Sequence, residues 1–182
     1  DFIAGFQHKD DAENYYALLK ERLRKFNLEL EESKSRLIEF GRYAEANSKR
    51  KSGRKPETFN FLGFTFYCGK GKKTGNFCVK LRTNSKKFSQ KLKATKDWLY
   101  QNNDMPVKEL IARLNKKLVG HYRYYGVSHN MNKLSSFLHF VQRYLFKVLN
   151  RRSHKKSYTW DGYIDMLKVY PLAKPKIYVK LF

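Results

Sequence analysis

Beyond Thr83 the chain places an apolar residue at every third or fourth position over three long stretches, and that spacing leaves little choice of fold. Phe88, Leu92, Thr95 and Leu99 mark the first stripe, with Asn84 or Ser85 ahead of it as a helix cap. Lys86, Lys87, Lys91, Lys93 and Lys96 crowd the remainder of that helix. The stretch from Asn102 to Pro106 breaks the pattern. Val107, Leu110, Leu114 and Leu118 form the second stripe, and Leu134, Leu138, Val141, Leu145 and Val148 the third, which ends near the basic run that starts at Asn150. A stripe at this period needs an apolar surface to cover it, so the three helices are expected to pack as a small bundle. A short helix from Trp160 to Val169 and an extended end interrupted by Pro171 and Pro175 complete the reading.

The residues before Thr83 follow another pattern. Asp1 stands at the head of a run, Phe2 to Phe6, that reads as a buried strand. Tyr16, Leu19, Leu23, Phe26 and Leu30 then recur at helical spacing, with Asp10 as cap and Glu13 three residues on, a variant of the capping box. This helix is expected to lie on a sheet. Residues 33–44 lose helical periodicity and read as a strand ending near Gly41, while residues 45–57, rich in Lys, Arg, Ser and Gly, read as an exposed basic loop. The aromatic and β-branched runs at 58–68 and 76–83 flank a Gly-rich turn from Gly69 to Gly75, which predicts a β-hairpin. The order strand, helix, strand, hairpin, then helices, predicts an α+β protein with a boundary between residues 82 and 83.

Charge narrows the partners. The chain has 39 Lys and Arg against 16 Asp and Glu, a formal net charge of +23. At 41% hydrophobic and 16% aromatic residues it is too apolar for a disordered polycation, so it should fold. Residues 1–82 hold 18 basic and 11 acidic residues, a net +7, and residues 83–182 hold 21 and 5, a net +16. Such an excess repels itself unless a polyanion neutralises it, and Tyr and Phe interleaved with the cations favour nucleic acid over anionic lipid. No stretch has the length of a bilayer span. Cys68 and Cys78, on either side of the Gly-rich turn, belong to no Cys/His cluster, which argues against zinc and for reduced, structural thiols. No Ser/His/Asp or Cys/His arrangement suggests nucleophilic catalysis.

Taken together, the opening Asp-Phe-Ile-Ala-Gly-Phe, Phe61-Leu62-Gly63-Phe64 and the run from Leu110 to Tyr125, with its Leu-Asn-Lys-Lys-Leu-Val-Gly-His-Tyr-Arg-Tyr-Tyr, resemble the back half of a group II intron reverse transcriptase/maturase. The resemblance covers essentially the whole chain. It implies that residues 1–82 are the C-terminal part of a polymerase palm and residues 83–182 an all-α thumb/maturase domain. His121 stands where the family usually has Trp, a local departure.

The resemblance also implies roles. Asp1 matches the second aspartate of a Tyr-x-Asp-Asp turn, a catalytic and metal-binding position for Mg2+, although one carboxylate cannot hold two magnesium ions. Lys34 would be the general acid toward the departing pyrophosphate, and reads equally as a solvated lysine. Phe61, Leu62 and Gly63 would form the primer grip; Phe61 and Phe64 read equally as core, with Gly63 at a bulge. Arg82, Lys86, Lys87, Lys91, Arg113, Asn115, Lys116, Lys117, Arg123, Tyr124, Arg143, Lys147, Arg151, Arg152, Lys155 and Lys156 would contact nucleic acid. Tyr122, Tyr124 and Tyr125 are candidates for stacking on unpaired bases, and Tyr122 and Tyr125, at helical spacing, equally for the core.

The expected function is therefore part of an RNA-directed DNA polymerase that also binds intron RNA to assist splicing and mobility. Expected partners are the intron RNA, a template/primer duplex and the N-terminal fingers and palm portion, and the expected setting is a cytoplasmic ribonucleoprotein. The chain resembles the class without an endonuclease module and by itself should not polymerise. Two other readings compete: a non-catalytic splicing cofactor, and a generic single-strand-binding protein.

Overall fold

The computed structural model describes residues 2–71, 74–152 and 158–181, with the backbone alone of Ser52. The chain divides into two compact units, Asp1–Thr58 with Cys68–Cys78, and Phe59–Tyr67 with Val79–Phe182.

In the first unit, helix α1 spans Lys9–Arg24. His8 precedes it without a side-chain cap, so the expected cap, Asp10, instead sits with Asp11 in the first turn, where carboxylates meet the positive end of the helix dipole. Tyr16, Leu19 and Leu23 are half-buried, as their spacing implies, whereas Phe26 is exposed. Two expected strands are absent. Residues 2–6 and 35–40 belong to no ladder, and between them Glu32–Lys34 forms a single 3-10 turn. Alternating side chains supply a face for a strand, but only a neighbouring strand supplies its hydrogen bonds, and no described segment pairs with either stretch.

The expected basic loop also differs, because Ala44–Ser52 forms helix α2, closed by Gly53. Its Glu45 and Lys49 carboxylate–ammonium pair, at 3.0 Å and four residues apart, and the helix-forming Ala44 and Ala46 outweigh the turn-like composition. Among the described residues of this unit, Ala12 and Ala44 are the buried apolar ones.

Strands β1 (Phe59–Phe61), β2 (Phe64–Lys70) and β3 (Phe77–Thr83) form a sheet in that order, with β1 antiparallel to β2. Between β1 and β2, Leu62 and Gly63 both have positive φ, 46° and 77°, the mark of a two-residue type I′ hairpin turn rather than a bulge. Phe61 consequently pairs with Phe64, and the Phe59 and Phe66 rings stack with centroids 5.0 Å apart. The second hairpin closes with Gly71 N–H donating to the Asn76 carbonyl at 2.8 Å. Both cysteines are free thiols.

Helices α3 (Ser85–Gln101), α4 (Val107–Tyr125), α5 (Met131–Asn150) and α6 (Trp160–Val169) follow, within a residue or two of the expected bounds. Asn84 caps α3 by accepting from the backbone N–H groups of Lys86 and Lys87. The three stripes meet as expected: Leu99, Leu110, Leu114, Leu118, Leu134, Val141, Leu145 and Val148 are all buried, with Tyr122, Phe137, Leu149, Tyr163 and Leu172 in the same core. Each such side chain contributes on the order of 1.5–3 kcal/mol by leaving water, which makes this cluster the main stabilising term of the second unit. Tyr163 adds a bond from its hydroxyl to the Gln142 carbonyl at 2.8 Å, fixing α6 to α5.

Two polar ties hold the unit's ends. Asn130 is fully buried; its Oδ1 accepts from Thr83 N–H, and its Nδ2 donates to Thr83 Oγ1 and the Tyr125 carbonyl, each at 2.8 Å. The C-terminal segment runs extended along the α4–α5 loop, with Val179 bridged in parallel to Val127. Asn115 secures its other end, donating to the Pro171 carbonyl at 2.9 Å and accepting from Ala173 N–H at 2.8 Å.

Candidate nucleic-acid interface

Helices α3 and α4 each pack on α5, and residues of both line an open groove of about 530 Å3. Positions 87, 91 and 94 recur at helical spacing on α3, as do 116 or 117, 120 and 124 on α4, so each helix turns the same face along its length. The groove is lined by Lys87, Lys91 and Ala94 of α3 and by Lys116, Lys117, Gly120, Tyr124 and Tyr125 of α4. No ion pair to any of the four lysines occurs among the described residues, and Lys117 lies over the Trp98 ring at 4.8 Å. A neighbouring depression shares Lys116 and Gly120 and adds Arg123, which extends the basic strip along α4. Four cations within one groove repel one another, and a phosphate-bearing ligand relieves that repulsion while releasing counterions.

His121 closes the groove from the core side. It is only 4% exposed, stacks on Phe137 of α5 with centroids 4.0 Å apart, and lies tilted against Tyr125 at 4.9 Å. Both ring nitrogens are buried without a hydrogen-bond partner among the described residues. Burial, and secondarily the Lys91 ammonium, pushes its pKa down to about 4, so the ring is neutral at pH 7.

The hairpin turn carrying Phe61, Leu62 and Gly63 is tied to the bundle. Tyr124 donates its hydroxyl to the Leu62 carbonyl at 3.0 Å, and Asn84 N–H donates to the Gly63 carbonyl at 2.9 Å. A side chain at position 63 would press on the Tyr125 hydroxyl at 3.0 Å, so both the positive φ and the close contact call for glycine. Phe64 stacks on Tyr124 with centroids 6.0 Å apart, and what faces outward at the turn is the Leu62 side chain, 64% exposed. Phe61 is half-buried.

The remaining candidates scatter. Lys34 ends the 3-10 turn and is exposed. Arg82 is exposed, its guanidinium over the Tyr67 ring at 5.5 Å. Lys86, Arg143 and Lys147 are exposed on their helices, Arg113 pairs with Glu109 at 2.5 Å, and Arg151 lies over Tyr100 at 5.2 Å. Arg152 is half-buried, its Nε and Nη2 lack partners among the described residues, and burial lowers its pKa. The Asn115 amide is taken up by the C-terminal segment on both its sides. Asp1, Lys155 and Lys156 lie outside the described residues.

Of the three candidate tyrosines, Tyr122 is fully buried in the core, Tyr125 is half-buried and Tyr124 is exposed. The groove was not legible in the sequence, since Gln90, Ala94 and Gly120 carry no chemistry of their own. The small residues at 94 and 120 were the available signal. Among the described residues no group of three or more His, Cys, Asp or Glu side chains could hold a metal ion, and no helix is long and apolar enough to cross a membrane.

Residues 85–163, from the start of α3 into α6, match the family model of the group II intron, maturase-specific domain. The match supports a maturase-type protein. No curated protein and no solved structure gives a significant match to the chain.

Proposed function

We propose that this chain binds the RNA of a group II intron through the groove between α3 and α4 and thereby favours the fold in which that intron splices. The single observation that carries this reading is that the lysine-lined groove lies wholly within the residues that match the maturase-specific domain. A folded intron brings phosphates of distant strands close together. Fixed cations at their meeting point offset that repulsion, and cations mounted on rigid helices do so at one defined geometry.

The test is splicing of a group II intron transcript at limiting magnesium with the chain added. The expected result is faster exon ligation with the wild type and no acceleration when Lys87, Lys91, Lys116 and Lys117 are all alanine. An unchanged rate with the wild type contradicts the reading.

The wider proposal makes the chain part of an intron-encoded RNA-directed DNA polymerase, with residues 1–82 as the end of the palm and residues 83–182 as the thumb. In it Asp1 and Lys34 serve the chemistry, Phe61 to Gly63 grip the primer, and the fingers and the rest of the palm come from a further segment or chain. Its support is the likeness of the Phe-Leu-Gly-Phe turn and of the Leu110 to Tyr125 run to that family. Magnesium would need carboxylates beyond the described ones, and no metal-dependent step follows from the residues described here. Such a protein would work in a cytoplasmic ribonucleoprotein.

A further inference from the structure

We infer that the groove between α3 and α4 takes one unpaired RNA nucleotide, its phosphate among the lysines and its base against the His121 ring. The inference rests on the RNA-binding reading above and goes further by naming what enters the groove.

A buried polar atom without a hydrogen bond is uncommon in a native fold, and His121 has two. A neutral imidazole presents one N–H donor and one bare acceptor nitrogen. A phosphate can use only the donor. A nucleobase edge carries donors and acceptors side by side and can satisfy either nitrogen.

The groove has the room and the lining for such a guest. Its volume, about 530 Å3, falls among those of small-ligand sites, roughly 300–1,000 Å3. A Cβ at Gly120 would meet nothing within 4 Å, so the wall is open there. Tyr124, 55% exposed, adds an aromatic ring to the lining. Lys91 is close enough to His121 to affect its protonation, and its flexible stem lets the ammonium swing from the ring to an arriving phosphate. A base inside a duplex has its pairing edge occupied and cannot reach the ring, so the nucleotide must be unpaired.

The experiment measures binding of the full chain to three labelled RNA hairpins: one fully paired, one with a single bulged uridine, and one with an abasic residue at the bulge. The bulged base should bind about tenfold tighter than the abasic bulge, in keeping with what a stacked, hydrogen-bonded base contributes. His121→Phe, which keeps a ring on Phe137, should reduce that ratio to about one. Gly120→Leu, which fills the groove from its open side without touching the core, should do the same and guards against a folding defect at position 121. Equal binding of base and abasic bulges by the wild type, or a ratio preserved in either variant, overturns the inference and leaves the RNA-binding reading standing. Failure to bind any of the hairpins overturns the inference, and the RNA-binding reading is then decided by the splicing assay.

Discussion

His121 shows how one residue ties stability to pH. The folded chain protonates this ring only near pH 4, because burial and Lys91 both oppose the charge, whereas an unfolded chain protonates it near the ordinary value of about 6.5. Between those values the unfolded state binds the extra proton, so stability falls as pH drops. The full contribution, about 3 kcal/mol, is present above pH 6.5 and is lost toward pH 4. Urea unfolding at pH 7.5 and pH 4.5 should show that loss in the wild type, and His121→Phe should lose distinctly less. Equal losses in the two proteins would mean that the ring is already solvated when folded. At this scale the sequence was partly legible. Asn84 announced itself as a cap by its place before the first stripe, and Tyr122 fell into the core by its spacing. Asn115 and Asn130 did not, because the Pro171 carbonyl that Asn115 binds is 56 residues away and the Thr83 groups that Asn130 binds are 47 residues away.

Elements were legible where their pattern could be satisfied within themselves or by like neighbours. The stripes of α3, α4 and α5 needed only one another, and the hairpin after β1 needed only a turn that Leu62 and Gly63 supply. Residues 2–6, an apolar run, and residues 35–40, which alternate, read as strands yet form none, since a strand is completed only by a partner strand. The basic run that became α2 was hidden by its composition, although Glu45 and Lys49 at helical spacing were visible. The extended C-terminal segment was expected as a shape but not as a fixture. It docks at Gly126, an inverse γ-turn closed by Val127 N–H to the Tyr125 carbonyl at 2.9 Å, with Tyr178 and Val179 donating to the Gly126 carbonyl. A Cβ on Gly126 would lie 2.3 Å from the Tyr122 carbonyl oxygen and 2.5 Å from that of Lys176. Gly126→Ala should therefore dislodge the segment and lower stability by roughly 1–3 kcal/mol, as overpacking does. Thermal unfolding compares the variant with the wild type, and an unchanged midpoint would mean that the segment contributes nothing.

For the whole molecule, the formal charge of +23 announced a polyanion partner before any element was placed, and the larger share of it, +16, falls in residues 83–182. Which cations act together could not be read from the chain, because Lys87 and Lys91 share a groove with Lys116 and Lys117 only through the packing of α3 and α4 on α5. Most of the other candidate cations lie outside that groove and serve the surface or stack on tyrosines. The central claim, that these four lysines bind intron RNA, is tested most directly by the salt dependence of affinity for a group II intron RNA. The wild type and the variant with all four lysines replaced by alanine should differ in the slope of log affinity against log salt by about 3, close to what four phosphate contacts on single strands give. Parallel slopes with equal affinities would contradict it.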